Sequence, residues 1–304
     1  MTAPAHEREE TPQSAWTVLG LLEWSDRYLR ERAFQESRLN AELLLSHALG
    51  LPRLALYLQF DRPLAAEEIA KFKKLLLRRM THEPVQYILG ETEFMGLPFE
   101  VTPTVLIPRP ETEELVEEVL AWLKGSHREE GEVLEIGAGS GNIAVTLGKF
   151  LPGLRVTSLE KSAGALEVAL RNRDRNGVKN VDFVQGDVFT AVFDGRKFDV
   201  VVSNPPYIAD AEIDTLEPEV KDFEPRLATA GGRDGLDFIR KIAELASALL
   251  RPGGGVFMEI AAGQADAAAA IVRGSALCGV GVKKDFAGIA RILSAFAPGG
   301  SAPP

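Results

Sequence analysis

The chain has 304 residues, of which 45% are hydrophobic and 26% are charged, and its formal net charge is −10. This length and composition are ordinary for a soluble globular protein with room for two domains. The negative charge argues against nonspecific attraction to the phosphate backbone of nucleic acids.

The cysteine and histidine content excludes several kinds of site. The single cysteine, Cys278, excludes an internal disulfide, and the four histidines are too far apart in sequence for metal-ligand spacing. No segment resembles a signal peptide, and no apolar run approaches the length of a membrane span. We therefore expect a cytoplasmic protein with no metal site and no membrane segment.

The first 83 residues predict a short tail followed by a small helical domain. Residues 1–13 are rich in Pro, Glu and Thr and are expected to be disordered. Ser14 is a suitable N-cap for the domain at residues 14–83. Apolar residues then recur at helical spacing in three segments, at residues 16–22, 41–48 and 69–80.

Residues 84–107 predict a β-hairpin between two domains, because aromatic and β-branched residues alternate there with turn residues. The first strand of this hairpin is expected at Tyr87-Ile88-Leu89, and the rest of the hairpin is expected at residues 94–101. A helix is expected from about residue 108 to 123, where prolines and acidic residues cluster at the beginning.

From residue 132 onward, apolar strands alternate with helices, which predicts the α/β fold class with a doubly wound, mostly parallel, seven-stranded sheet. The strands are expected at residues 133–136, 156–159, 181–184, 198–203, 255–260, 280–286 and 292–296. The Ala-rich segment at 261–272 predicts a packing helix. This second domain spans residues 108–297, and a loose tail is expected at 298–304.

The strand at residues 198–203 ends abruptly at Asn204-Pro205-Pro206-Tyr207. Neither proline can donate a ladder hydrogen bond, so the chain leaves the sheet at the edge where open α/β sheets bind ligands. The Asn204 side-chain oxygen and the Pro205 carbonyl are two acceptors in a rigid frame, and Tyr207 adds a flat face. This arrangement suits a planar NH2 group, either a carboxamide or an exocyclic base amine.

A glycine-rich loop follows the first strand of this domain. It consists of Gly137, Ala138, Gly139, Ser140 and Gly141. Because Asn142 stands where a dinucleotide fingerprint has glycine, the spacing fits Gly-x-Gly-x-Gly better than Gly-x-Gly-x-x-Gly. Glu135 precedes the loop, and a carboxylate suits an ammonium or sulfonium ligand better than a pyrophosphate. The loop favours S-adenosylmethionine over NAD.

Acidic residues follow the next two strands. Glu160 comes nineteen residues after Gly141, where a carboxylate can accept both ribose hydroxyls. Asp187 follows the third strand, where it would face an adenine amino group with Val188 against the ring. Suitable residues at four consecutive strand ends indicate one binding site.

This set resembles class I S-adenosylmethionine-dependent methyltransferases, and Asn-Pro-Pro-Tyr is similar to the signature of those that methylate planar nitrogens. Further stretches resemble the HemK/PrmC family, the N5-glutamine methyltransferases of peptide chain release factors. They lie at residues 84–90, 94–97, 106–116, 224–228 and 232–236. The resemblance covers about residues 15–297. The family usually has Asp where Glu135 and Glu160 stand, and often an aromatic residue at Val188.

The resemblance implies a class I methyltransferase fold and methyl transfer from S-adenosylmethionine to the glutamine of the Gly-Gly-Gln loop of release factors, which the N-terminal helices would recognise. We expect a monomer that needs no nucleic acid. The catalytic residues would be Asn204, Pro205 and Tyr207. Substrate would contact Asn204, Pro205, Pro206, Tyr207 and Arg109. Cofactor would contact Glu135, Gly137, Ala138, Gly139, Ser140, Gly141, Glu160, Asp187, Val188 and Asn204.

Alternative functions remain open at this point. Glutamine methyltransferases of a ribosomal protein share Asn-Pro-Pro-Tyr but usually differ at residues 109–113. An amino methyltransferase of DNA or RNA bases would share the motif, and the third N-terminal helix is basic, but the acidic chain disfavours it. A non-catalytic nucleotide-binding protein would leave Asn204 and Tyr207 unexplained, and the glycine spacing disfavours an NAD-linked oxidoreductase.

Overall fold

The computed structural model describes residues 16–299, and the chain divides into two compact units, Met1–Leu89 and Gly90–Pro304. The tail expected at residues 1–13 and the proposed cap Ser14 lie outside the described residues, as do residues 300–304 of the expected C-terminal tail. Within residues 16–299, no helix is both long enough and apolar enough to cross a membrane.

The described part of the first unit consists of helices packed around an apolar core. They are α1 (Val18–Arg30), α2 (Ser37–Leu49), α3 (Arg53–Leu58), α4 (Ala66–Arg79) and α5 (Val85–Leu89). The three predicted helices are confirmed as α1, α2 and α4, and α3 and α5 are additional. The hydroxyl of Thr17 caps α1 by accepting from the Gly20 N–H at 3.1 Å, and Gly50 ends α2 with φ of +63°.

The strand predicted at residues 87–89 is wrong, because these residues belong to helix α5. The Pro84 carbonyl accepts from the Ile88 N–H at 3.1 Å, and Val85 and Ile88 are buried in the helical core of the first unit. Burial against helices outweighs the β propensity of this short run. The hairpin is therefore shorter than expected, with β1 at Glu91–Phe94 and β2 at Leu97–Glu100.

The second unit contains a seven-stranded sheet flanked by helices. After the hairpin come α6 (Pro110–Gly125), β3 (Glu132–Ile136), α7 (Asn142–Phe150), β4 (Arg155–Glu160), α8 (Ala163–Arg175), β5 (Val181–Gln185), β6 (Phe198–Ser203), a 3-10 turn (Ile213–Thr215), α9 (Pro218–Lys221), α10 (Arg226–Thr229), α11 (Asp237–Leu249), β7 (Leu250–Glu259), α12 (Ala265–Arg273), β8 (Cys278–Lys284) and β9 (Ala290–Phe296). All seven predicted strands and the Ala-rich helix are confirmed, although β7 begins five residues earlier than expected.

The strand order is β5-β4-β3-β6-β7-β9-β8, and β9 runs antiparallel to both of its neighbours, whereas the pairs among β3 to β7 are parallel. The predicted doubly wound, mostly parallel sheet is thus confirmed. The order reverses between β3 and β6, and in such sheets the crevice beyond the carboxyl ends at this point is the usual ligand site.

Both faces of the sheet are buried, which explains the continuous apolar runs of its strands. All six residues of β6 are buried. Val201 packs with Ile239 of α11 in one core cluster, whereas Val200 and Val202 pack with Leu147 of α7 in the other. This alternation holds β6 between two helical layers and sets where its carboxyl end lies.

Asn172 of α8 joins the hairpin to the glycine-rich loop. Its side chain is fully buried, and its Nδ2 donates to the carbonyls of Glu100 and Ser140, both at 2.9 Å. Its Oδ1 accepts from the Glu100 N–H at 2.6 Å. One side chain therefore satisfies three backbone groups in two separate segments.

Substitution Asn172→Ala is expected to lower the free energy of unfolding by about 3 kcal/mol, because it leaves buried backbone donors and acceptors without partners. Chemical denaturation measures this difference. The matched control is Asp174→Ala on the same helix, where the side chain is 68% exposed. Equal stability of the two variants would contradict the proposed role of Asn172.

Candidate active site

A cavity opens at the carboxyl ends of β3, β4, β5 and β6, where the predicted site residues converge. Of those residues, the cavity is lined by Arg109, Gly137, Ala138, Gly139, Ser140, Glu160, Asp187, Val188, Asn204, Pro205 and Pro206. Glu135, Gly141 and Tyr207 are not among the residues that line it. The structure thus brings together eleven of the fourteen positions predicted from sequence.

The glycine-rich loop leaves space at its surface for a ligand. Gly137 and Gly139 have φ of +85° and +54°, and no atom lies within 4 Å of the position that a Cβ would take on either. A side chain at either residue would be strained and would project into this space. The loop is held against β4, because the Gly137 N–H donates to the Leu159 carbonyl at 2.8 Å.

Glu160 ends β4 with an oriented carboxylate. Its Oε2 accepts from the Gly139 N–H at 2.9 Å and its Oε1 from the Ser162 N–H at 2.7 Å. Each oxygen keeps further acceptor capacity. The Glu160 side chain is therefore held in place at the cavity wall, and both of its oxygens can still accept hydrogen bonds from a ligand.

Asp187 is held by two donors at the next strand end. Its Oδ2 pairs with Lys161 Nζ at 2.9 Å, and its Oδ1 accepts from the Phe189 N–H at 3.0 Å. The hydrogen bond from Lys161, followed by that from Phe189, lowers the pKa of the Asp187 carboxyl. Asp187 is therefore an ionised acceptor at the cavity edge.

Two aromatic residues beside Val188 supply a wall that the sequence interpretation missed. Phe189 and Phe238 both line the cavity and pack edge to face, with ring centroids 5.1 Å apart. Val188 itself is buried beside them. Phe189 had a usable signal, because it directly follows the predicted adenine contact, whereas Phe238 is remote in sequence.

Glu135 lies beneath the loop and not at the cavity surface. It precedes Ile136, the last residue of β3, and its fully buried side chain accepts a hydrogen bond from the Ser158 hydroxyl. Its other oxygen, Oε1, has no hydrogen-bond partner among the described residues. Burial raises the pKa of Glu135 to about 8. A direct cofactor contact by this carboxylate is not supported by its position.

Substitution Glu135→Gln is expected to change how stability depends on pH. The folded-state pKa of Glu135 is raised above the ordinary value of 4.5 to about 8. In the pH window between these two values, the folded state keeps a proton that the unfolded state has lost. The free energy of unfolding must fall as pH rises through it, by an amount on the order of a few kcal/mol.

The Gln variant should lack this part of the pH dependence, which urea denaturation at pH 5, 7 and 9 would measure without added ligand. Glu130→Gln, at an exposed position, is the control for a lost surface charge. Parallel pH profiles for the wild type and Glu135→Gln would exclude this assignment.

Asn204 presents its side chain to the cavity immediately after β6. Its Nδ2 donates to the Thr112 hydroxyl at 2.9 Å. Within residues 16–299, no donor is in hydrogen-bond range of Asn204 Oδ1 or of the Pro205 carbonyl. Two unpaired acceptors therefore stand at the cavity. The neighbouring Ser203 hydroxyl anchors this end of β6 by donating to the Ile136 carbonyl at 2.6 Å.

Tyr207 does not form a wall of the cavity. Its hydroxyl points to Glu259, at 3.5 Å from Oε1, and burial raises its pKa to about 12. Its carbonyl accepts from Gln264 Nε2 at 2.9 Å. Gly235 packs so closely behind it that a Cβ there would lie 2.3 Å from the Tyr207 carbonyl oxygen. Tyr207 thus fixes the path of the chain after the prolines.

Thr112 and Glu259 are the functional candidates that the sequence interpretation missed. The Thr112 hydroxyl donates to Glu259 Oε2 at 2.7 Å, and the Glu259 side chain is almost fully buried. Burial raises the pKa of Glu259 to about 7, against the lowering effect of the Thr112 hydrogen bond. A carboxylate at the end of the apolar strand β7 was a usable signal, but its partner in α6 was not evident from sequence.

Arg109 is paired with a buried carboxylate. Its Nη2 lies 2.6 Å from Glu224 Oε2, and Glu224 Oε1 accepts from the Ile107 N–H at 3.2 Å. Burial raises the pKa of Glu224, opposed by the charge of Arg109. The pair holds the segment before α6 against the segment before α10, and the Arg109 side chain remains at the cavity wall.

Known sequences and families match nearly the whole chain. Residues 20–90 match the family described as the PrmC N-terminal domain, and residues 117–260 match the methyltransferase small domain. A release factor glutamine methyltransferase of Geobacter sulfurreducens is 46% identical over 278 residues, which are 91% of this chain and 96% of that protein. One of Chlorobaculum tepidum is 43% identical over 294 residues, covering 94% and 99%.

A solved structure supports the fold independently. A methyltransferase from Pyrococcus furiosus is similar over 74% of this chain and 98% of its own, with a TM-score of 0.50 and 22% sequence identity. At this identity the likeness concerns the fold alone, and it agrees with the sheet of the second unit.

Proposed function

The chain belongs to the family of release factor glutamine methyltransferases, and from this we propose that it methylates the side-chain amide nitrogen, N5, of the glutamine in the Gly-Gly-Gln loop of peptide chain release factors. The methyl donor is S-adenosylmethionine. The observation that carries the proposal is the pair of unpaired acceptors, Asn204 Oδ1 and the Pro205 carbonyl, which match the two protons of a carboxamide NH2 group.

The residues at the strand ends fit the cofactor. The surface of Gly137 and Gly139 is clear of side chains, Glu160 and Asp187 offer oriented carboxylate oxygens for hydroxyl and amino groups, and Phe189 offers an apolar face. S-adenosylmethionine supplies an electrophilic methyl group on a sulfonium sulfur. The protein's own residues position the substrate nitrogen and exclude water from it.

Asn204 and Pro205 orient the substrate nitrogen. An amide nitrogen is a poor nucleophile because its lone pair is delocalised, and hydrogen bonds from both of its protons fix the direction of that lone pair. The buried Pro205 and the apolar lining keep water from the reacting nitrogen. Positioning and exclusion of water can lower the barrier by roughly 7 kcal/mol or more. The methylated nitrogen then loses a proton to water.

The other roles follow the same proposal. Pro206 and Arg109 would contact the substrate segment around the glutamine, and Tyr207 would hold the Asn-Pro-Pro segment in place. The N-terminal helices, predicted as a domain over residues 14–83, would recognise the release factor, and residues 84–107 would link it to the catalytic domain. A monomer in the cytoplasm, acting without nucleic acid, remains our prediction.

Substitution Asn204→Ala is expected to reduce turnover by about two orders of magnitude, because one of the two hydrogen bonds that orient the amide is lost. Cofactor binding should change much less than turnover, because Glu160, Asp187 and the glycine-rich loop are all unaltered in this variant. Transfer of labelled methyl to a release factor measures turnover, and calorimetry measures the cofactor dissociation constant. Comparable turnover in the two proteins would exclude this role for Asn204.

The same labelled-methyl assay tests the substrate. The release factor should accept label, and its variant with Gln→Ala in the Gly-Gly-Gln loop should not. Ribosomal proteins, DNA and ribosomal RNA are the alternative substrates. Labelling of any of these in preference to the release factor would overturn the proposed function.

Substitution Asp187→Ala is expected to raise the cofactor dissociation constant about tenfold or more, because a hydrogen bond to an ionised acceptor is lost. Turnover at saturating cofactor should be less affected. The control is Asp182→Ala, an exposed position on β5. An unchanged dissociation constant for Asp187→Ala would show that the carboxylate does not contact the cofactor.

A further inference from the structure

The side chain of Asn204 has two ends of similar shape and opposite hydrogen-bonding character. Its oxygen accepts hydrogen bonds, and its NH2 group only donates them. A substrate NH2 group can be held by the oxygen but is repelled by the NH2 end. The proposed function therefore requires a device that keeps the oxygen turned to the cavity.

The hydrogen-bond chain behind Asn204 has a fixed direction. An ionised Glu259 can only accept, so the proton of the Thr112 hydroxyl, 2.7 Å away, must point to it. The Thr112 oxygen has no second proton and can only accept from Asn204, 2.9 Å away on its other side. The Tyr207 hydroxyl faces the same carboxylate at 3.5 Å and is likewise oriented to donate.

We propose that Thr112 and Glu259 are positioning residues that force the Asn204 amide to place its NH2 group inward and its oxygen toward the substrate. This inference rests on the function proposed above and adds two residues to it. Neither residue needs to touch the glutamine. Thr112 is 1% exposed and Glu259 is 1% exposed, so solvent does not compete for these hydrogen bonds.

The direction of the chain depends on the charge of Glu259. A protonated Glu259 can donate its proton to the Thr112 oxygen. The Thr112 proton is then free to point at the Asn204 oxygen, and the Asn204 side-chain amide can flip. The charged and titratable groups that act on Glu259 are Glu111 from α6, Tyr207 from the segment after β6 and Arg291 from β9. Arg291 favours the ionised form and Glu111 opposes it.

A pH dependence of turnover follows. Because burial raises the pKa of Glu259 to about 7, the protonated fraction grows as pH falls below that value. Turnover by the wild-type protein is expected to decline there, while the cofactor dissociation constant changes little.

The test compares Thr112→Val with Thr112→Ser. Valine keeps the shape but removes the hydroxyl, so turnover on the release factor is expected to fall about tenfold or more. Serine restores the hydroxyl and should recover most of that loss. Thr146→Val is the matched control, because Thr146 is a buried threonine of α7 whose hydroxyl has no partner among the described residues.

Three further readouts separate positioning from a structural role. In Thr112→Val, the thermal midpoint should stay within a few degrees of the wild-type value. The cofactor dissociation constant should stay within about twofold of wild type, as should the affinity for unmethylated release factor in the absence of cofactor. Substitution Glu259→Gln removes the titrating group, so its turnover should be lowered and should lose the decline below about pH 7.

The outcomes distinguish the two levels of the proposal. Wild-type turnover in Thr112→Val, on a release factor that the wild-type protein methylates, would overturn the positioning role and leave the proposed function standing. A Thr112→Val protein that fails to fold would shift the decision to Glu259→Gln, and retention of the acidic decline in that variant would overturn the inference. Absence of methyl transfer by the wild-type protein would overturn both.

Discussion

The pairing of β3 with β6 is the constraint on which the site depends. These strands lie side by side in parallel, with Glu135 opposite Val202, so their carboxyl ends meet at one edge of the sheet. The glycine-rich loop leaves from one and Asn204 from the other. Because both strands are buried between helical layers, their register cannot shift by one residue without moving apolar side chains out of both cores. The cofactor and substrate ends of the cavity are therefore held at a set separation.

Buried carboxylates surround this junction, and they differ in how they are satisfied. Glu259 has hydroxyl neighbours on both of its oxygens, and Glu224 has an arginine and a backbone N–H. Glu135 has one oxygen paired with Ser158 and one without a partner in the described part of the chain. Burying such groups costs stability unless they are protonated or fully hydrogen-bonded. Several of these carboxylates lie around one cavity. This indicates that the protein is less stable than it could be because these groups orient the residues that line the cavity.

Much of the fold was predictable because it follows from local patterns. The seven strands, the glycine loop and the exit of the chain at Pro205 each follow from apolar runs, glycine spacing or proline chemistry within a few residues. The strand predicted at residues 87–89 was wrong because aromatic and apolar side chains such as Tyr87 and Ile88 can be buried equally well on a short helix that packs on other helices. Glu135 was expected beside the ligand from its distance to the loop, but the alternation of side chains along β3 places it underneath.

The amino-acid sequence by itself determined the fold class, the position of the site at the strand ends and the type of group that Asn204 and Pro205 can hold, since these depend on the properties of neighbouring residues. The tertiary structure alone decided which distant side chains act on them. Thr112 is 92 residues from Asn204 and 147 from Glu259, and the Phe189–Phe238 wall is assembled in the same way. Such pairs form only when strand order and helix packing bring separate segments within hydrogen-bond distance, which no local pattern encodes.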